Sequence, residues 1–226
     1  MSLLREESLA ATVDAVDEAL FFGWPLKARE RAEAARWIAE RQGLPGAYAG
    51  MYAPTDLDYQ QGLRLFTGER MCSGGGLAHV LGEEAGRALR LLRAPQATVR
   101  DALHRADTSM GERLARSGYP ESGRYCCSTC SVAVWRHLAA GGLGGAEELL
   151  AVGVRSLRGR RDGKGRWRGL PFWYTVLALH DMDLPAAGEE LHYAAPALER
   201  AARGRAGADQ YAARRQALTE RVLNRS

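Results

Sequence analysis

Three of the four cysteines, Cys126, Cys127 and Cys130, fall within five consecutive positions, and Cys127 with Cys130 makes a C-x-x-C pair. Thiolates are strong ligands for zinc and for iron–sulfur iron, so the pair is half of a metal site. The other half would have to come from Cys72 and a histidine such as His79 or His104, because the chain holds no second C-x-x-C and no histidine pair at finger spacing. The same three thiols span the expected start of a helix, whose dipole favours a thiolate, and this opens a redox reading that exposure decides. The plain alternative is a set of small buried thiols on an inner helix. Adjacent Cys126 and Cys127 would point in different directions from a helix. The expectation is therefore no bound metal; if one is bound, zinc on Cys72, Cys127 and Cys130.

Two further groups could do chemistry. His79 stands four residues before Glu83, so the two share a helix face and can meet one metal if buried. His180, Asp181 and Asp183 close an apolar stretch, where such residues commonly act as caps or solvated pairs. The stretch Arg155, Arg158, Arg160, Arg161, Lys164, Arg166 and Arg168 carries one acid, Asp162, and could present a fork of donors to a phosphate. Against this, its cations could simply be solvated at a helix C-terminus. The glycines after Cys72-Ser73 suit a tight turn better than a phosphate loop.

These residues must be placed by helices. Leu9, Val13, Val16 and Leu20 share one face, and a second helix running to about Gln42 turns Trp37 and Ile38 inward, giving a first hairpin. Positions 43 to 76, rich in Gly, Pro and Tyr, read as an irregular crossing and cleft wall with a short helix near Asp56 to Phe66. Helical spacing resumes at Leu77 to Leu92 and at Val99 to Leu114, a second hairpin. Cys130 to Ala140 with Ala146 to Leu157 makes a third. The fourth joins Pro171 to Asp181, apolar nearly all round, to an outer helix from Pro185 that Pro196 should kink or split. An arginine-rich helix, about Asp209 to Asn224, ends the series. The expected fold is all-α: antiparallel hairpins stacked as an α/α-repeat or partial α/α-toroid. It forms a single domain over 1–226, with substructure at 1–94 and 95–226.

Composition narrows the classes. Hydrophobic residues make up 46% of the 226, enough for a sizeable core without staples. The formal charge is only +4, which argues against a nucleic-acid partner. Clustered rather than dispersed cysteines imply a reducing, cytoplasmic setting. Glu6, Glu7, Asp14 and Asp17 interrupt what a signal peptide would need, and the apolar run from Gly169 to Leu179 is too short for a transmembrane segment. A homo-oligomer is left open.

One rhyme carries a resemblance. GRYCCSTCSVAVWRHLAAGGL and DGKGRWRGLPFWYTVLAL each place a glycine, an arginine and an aromatic before an apolar helix, at a shift of 42 residues. Residues 123–195 thus resemble the repeats of the protein prenyltransferase β-subunit and terpene cyclase superfamily, whose α/α-toroid surrounds an apolar funnel. The resemblance implies stacked hairpins and a cavity lined by Trp135, Phe172, Trp173 and Tyr174. The prenyltransferase zinc positions would be Ser128, Cys130 and Tyr174 before Thr175, of which only Cys130 is a ligand residue, and the cyclases' Asp-x-Asp-Asp motif is missing.

The expected function is binding of an apolar, isoprenoid-like or phosphorylated small ligand. Trp135, Phe172, Trp173 and Tyr174 would surround the apolar part, and Arg158, Arg161, Arg166 and Arg168 would engage an anionic head group. One alternative is a non-catalytic protein-interaction or regulatory module using an exposed patch of Tyr48, Tyr52, Tyr59 and the arginine stretch. A second alternative is a thiol-ligated zinc enzyme.

Overall fold

The computed structural model describes residues 2–71, 74–204 and 209–224, so Cys72 lies outside the described residues. Among these, the regular structure is helical, with isolated bridges but no strand. In chain order the helices are α1 (Leu9–Phe21), α2 (Ala28–Glu40), α3 (Asp56–Gln61), α4 (Gly74–Leu92), α5 (Ala97–Ala115), α6 (Tyr119–Ser122), α7 (Ser128–Ala139), α8 (Ala146–Arg158), α9 (Phe172–His180), α10 (Pro185–Arg203) and α11 (Gln210–Leu223), with a short 3-10 turn at Tyr48–Gly50. No helix among the described residues is long and apolar enough to cross a membrane.

The packing order follows the apolar pattern. α4 packs on α7 and α7 on α9, while α5, α8 and α10 pack outside them as the second arms of hairpins α4–α5, α7–α8 and α9–α10. The all-round apolar reading of α9 is correct, since Tyr174 through Leu179 are buried. α1 extends the inner row by packing on α4, and α2 packs on α4 and α5. The expected first hairpin is therefore corrected: α1 and α2 bury their faces mainly against later helices, because both apolar stripes are completed by α4.

Other boundaries shift for local reasons. Pro171 is the N-cap residue of α9 rather than its first turn, and Asp181 is the C-cap. The short helix in the irregular crossing stops at Gln61, where Gly62 takes a φ of 70°. α10 runs unbroken through Pro196, which sits on the exposed face so that the His192 carbonyl it leaves without a donor can be solvated.

The irregular segment between α2 and α4 supplies caps to the inner row. Asp58 accepts from the Leu9 and Ala10 amides (3.1 and 3.2 Å) and from Ser8 Oγ (2.6 Å), placing a carboxylate on the N-terminus of α1. Glu69 does the same for α9, accepting from the Trp173 and Tyr174 amides at 2.8 and 3.1 Å. Pro171 offers no side-chain acceptor at that helix start, so the carboxylate has to come from elsewhere in the chain.

Candidate functional site

Two polar centres lie on the inner row. The first is built where the start of α7 meets the first turns of α4. Cys127 is the N-cap of α7, with extended backbone (φ −99°, ψ 175°), and its sulfur accepts the Cys130 amide at 3.2 Å. Because the helix begins only at Ser128, Cys126 and Cys127 are not constrained to helical directions. Cys126 is exposed, Cys127 half-buried and Cys130 buried. The Cys127 and Cys130 sulfurs lie 3.0 Å apart, and Cys130 Sγ lies 3.8 Å from His79 Nδ1 on α4.

The ligand atoms of His79, Cys126 and Cys130 all fall within 4.8 Å of one another. Tetrahedral zinc with Zn–S near 2.3 Å and Zn–N near 2.1 Å sets ligand atoms about 3.5–3.8 Å apart, so modest side-chain rotation closes the set. Glu83, one turn after His79, is buried beside them, and neither carboxyl oxygen has a hydrogen-bond partner among the described residues. Burial pushes its carboxyl well above the usual range, with Glu84 and the thiols of Cys127 and Cys126 adding to the effect. Burial likewise raises the Cys130 thiol and, with Arg113 assisting, lowers His79, leaving a neutral imidazole able to coordinate. At the rim, Tyr48 stacks on His79 with ring centroids 3.2 Å apart, and its hydroxyl accepts from Arg113 Nε at 3.0 Å.

The second centre is a buried ionic cluster joining all four inner helices. Arg136 of α7 donates to Glu84 (2.7 Å), Asp181 (2.9 Å) and Asp17 (3.3 Å), and Arg87 donates to Asp17 (2.6 Å) and Asp181 (3.2 Å). The Tyr174 hydroxyl donates to Glu84. A cavity of about 210 Å³ lies against this cluster, its polar lining made by Asp17, Arg87, Arg136, His180, Asp181 and Arg221, with apolar side chains between them. Another, of about 30 Å³, touches Tyr174 and Glu84.

The residues expected to bind ligand are dispersed. Trp135 and Tyr174 are fully buried in packed core, Phe172 is nearly so, and Trp173 is half-buried. Of the four, only Tyr174 lines either cavity. The arginines are largely engaged: Arg158 pairs with Glu189, and Arg161 grips Glu190 at 2.9 and 3.2 Å. Arg166 lies over the Phe172 ring at 4.5 Å, and Arg168 is exposed. Tyr52 is fully buried, so Tyr48, Tyr52 and Tyr59 do not form one exposed patch. Of the thiol set, Cys127 and Cys130 come together, and His79 rather than exposed His104 joins them. Cys126 joins the set although adjacent Cys126 and Cys127 are expected to point in different directions from a helix, because the helix begins only at Ser128. The His79 and Glu83 spacing and the cysteine group, separate in sequence, belong to one site.

Comparisons with protein-family models, curated proteins and solved structures return no match.

Proposed function

We propose that this chain is a metalloprotein whose activity is exercised at a centre held by His79, Cys126 and Cys130, with zinc as the fitting ion. The observation that carries the reading is the convergence of one imidazole and two thiols, with the nearby buried carboxyl of Glu83 lacking a hydrogen-bond partner among the described residues. Burial keeps this carboxyl protonated, and a cation nearby would favour its ionised form. Sulfur and imidazole donors together suit zinc, and three protein ligands leave a fourth position for water or a substrate atom. Such an ion supplies Lewis acidity. On the protein's side, Glu83 is placed to hold a proton next to the ligands, the Tyr48 ring fixes the His79 plane, and Arg113 at the rim favours substrates that carry an anionic or strongly polar group.

This reading reverses the expectation of a metal-free thiol core. It draws less on the apolar-ligand reading, whose aromatics do not line the cavity of about 210 Å³, itself smaller than ordinary ligand pockets of roughly 300 Å³ and above. Elemental analysis of reduced, purified protein tests it. The expected result is one zinc per chain, a melting temperature lowered by chelator, and loss of metal in His79→Ala and Cys130→Ser. Absence of stoichiometric metal after reconstitution with zinc or ferrous iron under reducing conditions overturns it.

A further inference from the structure

We infer that Cys127 and Cys130 form a second reactive unit, a dithiol that a hydroperoxide oxidises to a disulfide, and that this oxidation withdraws Cys130 from the metal-ligand set. The disulfide stands on its own geometry; the withdrawal of a ligand rests on the metal-centre reading above.

Cys127 is not one of the three groups whose ligand atoms converge, yet its sulfur is 3.0 Å from Cys130 Sγ. Closing to a disulfide of about 2.05 Å requires an approach of only about 1 Å, and an i,i+3 pair at a helix start is within disulfide reach. The two sulfurs also divide the chemistry. Cys127 is half-buried at the N-cap, where the Cys130 amide donates to its sulfur and an oxidant can reach it, whereas Cys130 is buried behind it. The accessible sulfur attacks, and the enclosed one resolves before a further oxidant molecule arrives. Cys130 therefore has two partners, His79 at 3.8 Å on one side and Cys127 on the other, and it can satisfy one or the other.

The steps balance as follows. The Cys127 thiolate attacks one peroxide oxygen, so that an S–O bond forms, the O–O bond breaks and the leaving alkoxide takes up a proton as an alcohol. The Cys130 sulfur then attacks the Cys127 sulfenic sulfur. The S–S bond forms, the S–O bond breaks, and hydroxide departs as water with the Cys130 proton. Two thiols and one hydroperoxide yield one disulfide, one alcohol and one water, and an external dithiol reverses the change.

The test uses the full chain, reduced and either stripped of metal or loaded with zinc, and titrated with hydrogen peroxide. Disulfides are located by alkylation and tandem mass spectrometry, and released zinc is followed with a chromophoric chelator. The expected result is a Cys127–Cys130 disulfide at one peroxide per chain, with Cys126 still alkylated and zinc released in step. Cys127→Ser, which keeps an N-cap oxygen for the same amide, should bind zinc as the wild type does and release it at least about tenfold more slowly under peroxide. A disulfide to Cys126 or Cys72, or sulfinic acid on Cys127 without a disulfide, overturns the dithiol. Zinc bound and kept through peroxide treatment, with no disulfide, also overturns it while the metal centre stands. A Cys127–Cys130 disulfide in a chain that never binds metal upholds the dithiol and overturns the metal centre.

Discussion

At the scale of single residues, buried and half-buried carboxylates divide by what faces them. Asp58 and Glu69 face helix amides and act as caps, and Glu84 faces Arg136 and the Tyr174 hydroxyl. Glu83 lies near thiols and has no donor among the described residues. Burial holds it protonated in the metal-free fold, where glutamine matches it in charge and shape, but glutamine cannot ionise beside a cation. Glu83→Gln is therefore expected to leave the melting temperature of chelated protein unchanged or raised, while lowering zinc affinity about 10–100-fold, as loss of a group supporting the ligands does. Competition against a chelator of known affinity checks it; unchanged affinity would detach Glu83 from the site. Tyr174→Phe has the opposite character, because it strips a donor from a carboxylate that stays buried. It should cost about 1–3 kcal/mol in urea unfolding.

Helices were legible where their apolar faces repeat, and less so where a partner outside the local pattern decides. α4, α5, α7, α8 and α9 follow from spacing alone, since Leu77, Leu81 and Ala85 or Leu150, Val154 and Leu157 are buried as a helical face requires. The pairing of α1 with α4 was hidden because a stripe of apolar residues does not name its partner. The thiol site was hidden in part because α7 begins only at Ser128, with Cys127 as its N-cap and Cys126 outside it, a boundary that spacing does not set. Close helix approach was also invisible. A Cβ on Gly153 of α8 would sit 2.3 Å from Trp135 Nε1 and 2.8 Å from the Tyr119 hydroxyl, so this glycine is what lets α8 lie against the α7 indole. Gly153→Ala should cost about 1–3 kcal/mol despite alanine's better helix propensity. In a double-mutant cycle, Trp135→Leu should recover part of that loss; strict additivity would refute the steric explanation.

For the molecule as a whole, the inner row is joined at its centre by the ionic cluster and tied at its α1 end to the last helix by Arg214. Burial pushes Asp181 up, but Arg87 and Arg136 outweigh it and hold the carboxyl well below its usual range. A depressed carboxyl contributes stability that is complete above the unfolded value of about 3.9 and is lost as pH falls toward the folded value. The stability gap between wild type and Asp181→Asn should accordingly be full at pH 7 and shrink at pH 3, measured by urea unfolding at both. The closure makes a different demand. Arg214 of α11, fully buried, grips Asp14 of α1 at 2.7 and 2.8 Å, reaches Glu18 at 3.1 Å and donates to the Phe66 carbonyl at 3.1 Å while stacking on the Phe66 ring. Only a planar fork satisfies those acceptors together, so lysine cannot replace it. Removing one partner of a buried pair typically costs about 3–5 kcal/mol, and both Arg214→Ala and Arg214→Lys should approach that range. Because the contacts tie the last helix to the first, hydrogen exchange in Arg214→Lys should lose protection first in α11 and the facing turns of α1, with α4 and α7 protected as before. A uniform loss across all helices would mean instead that the closure and the central cluster unfold as one cooperative unit.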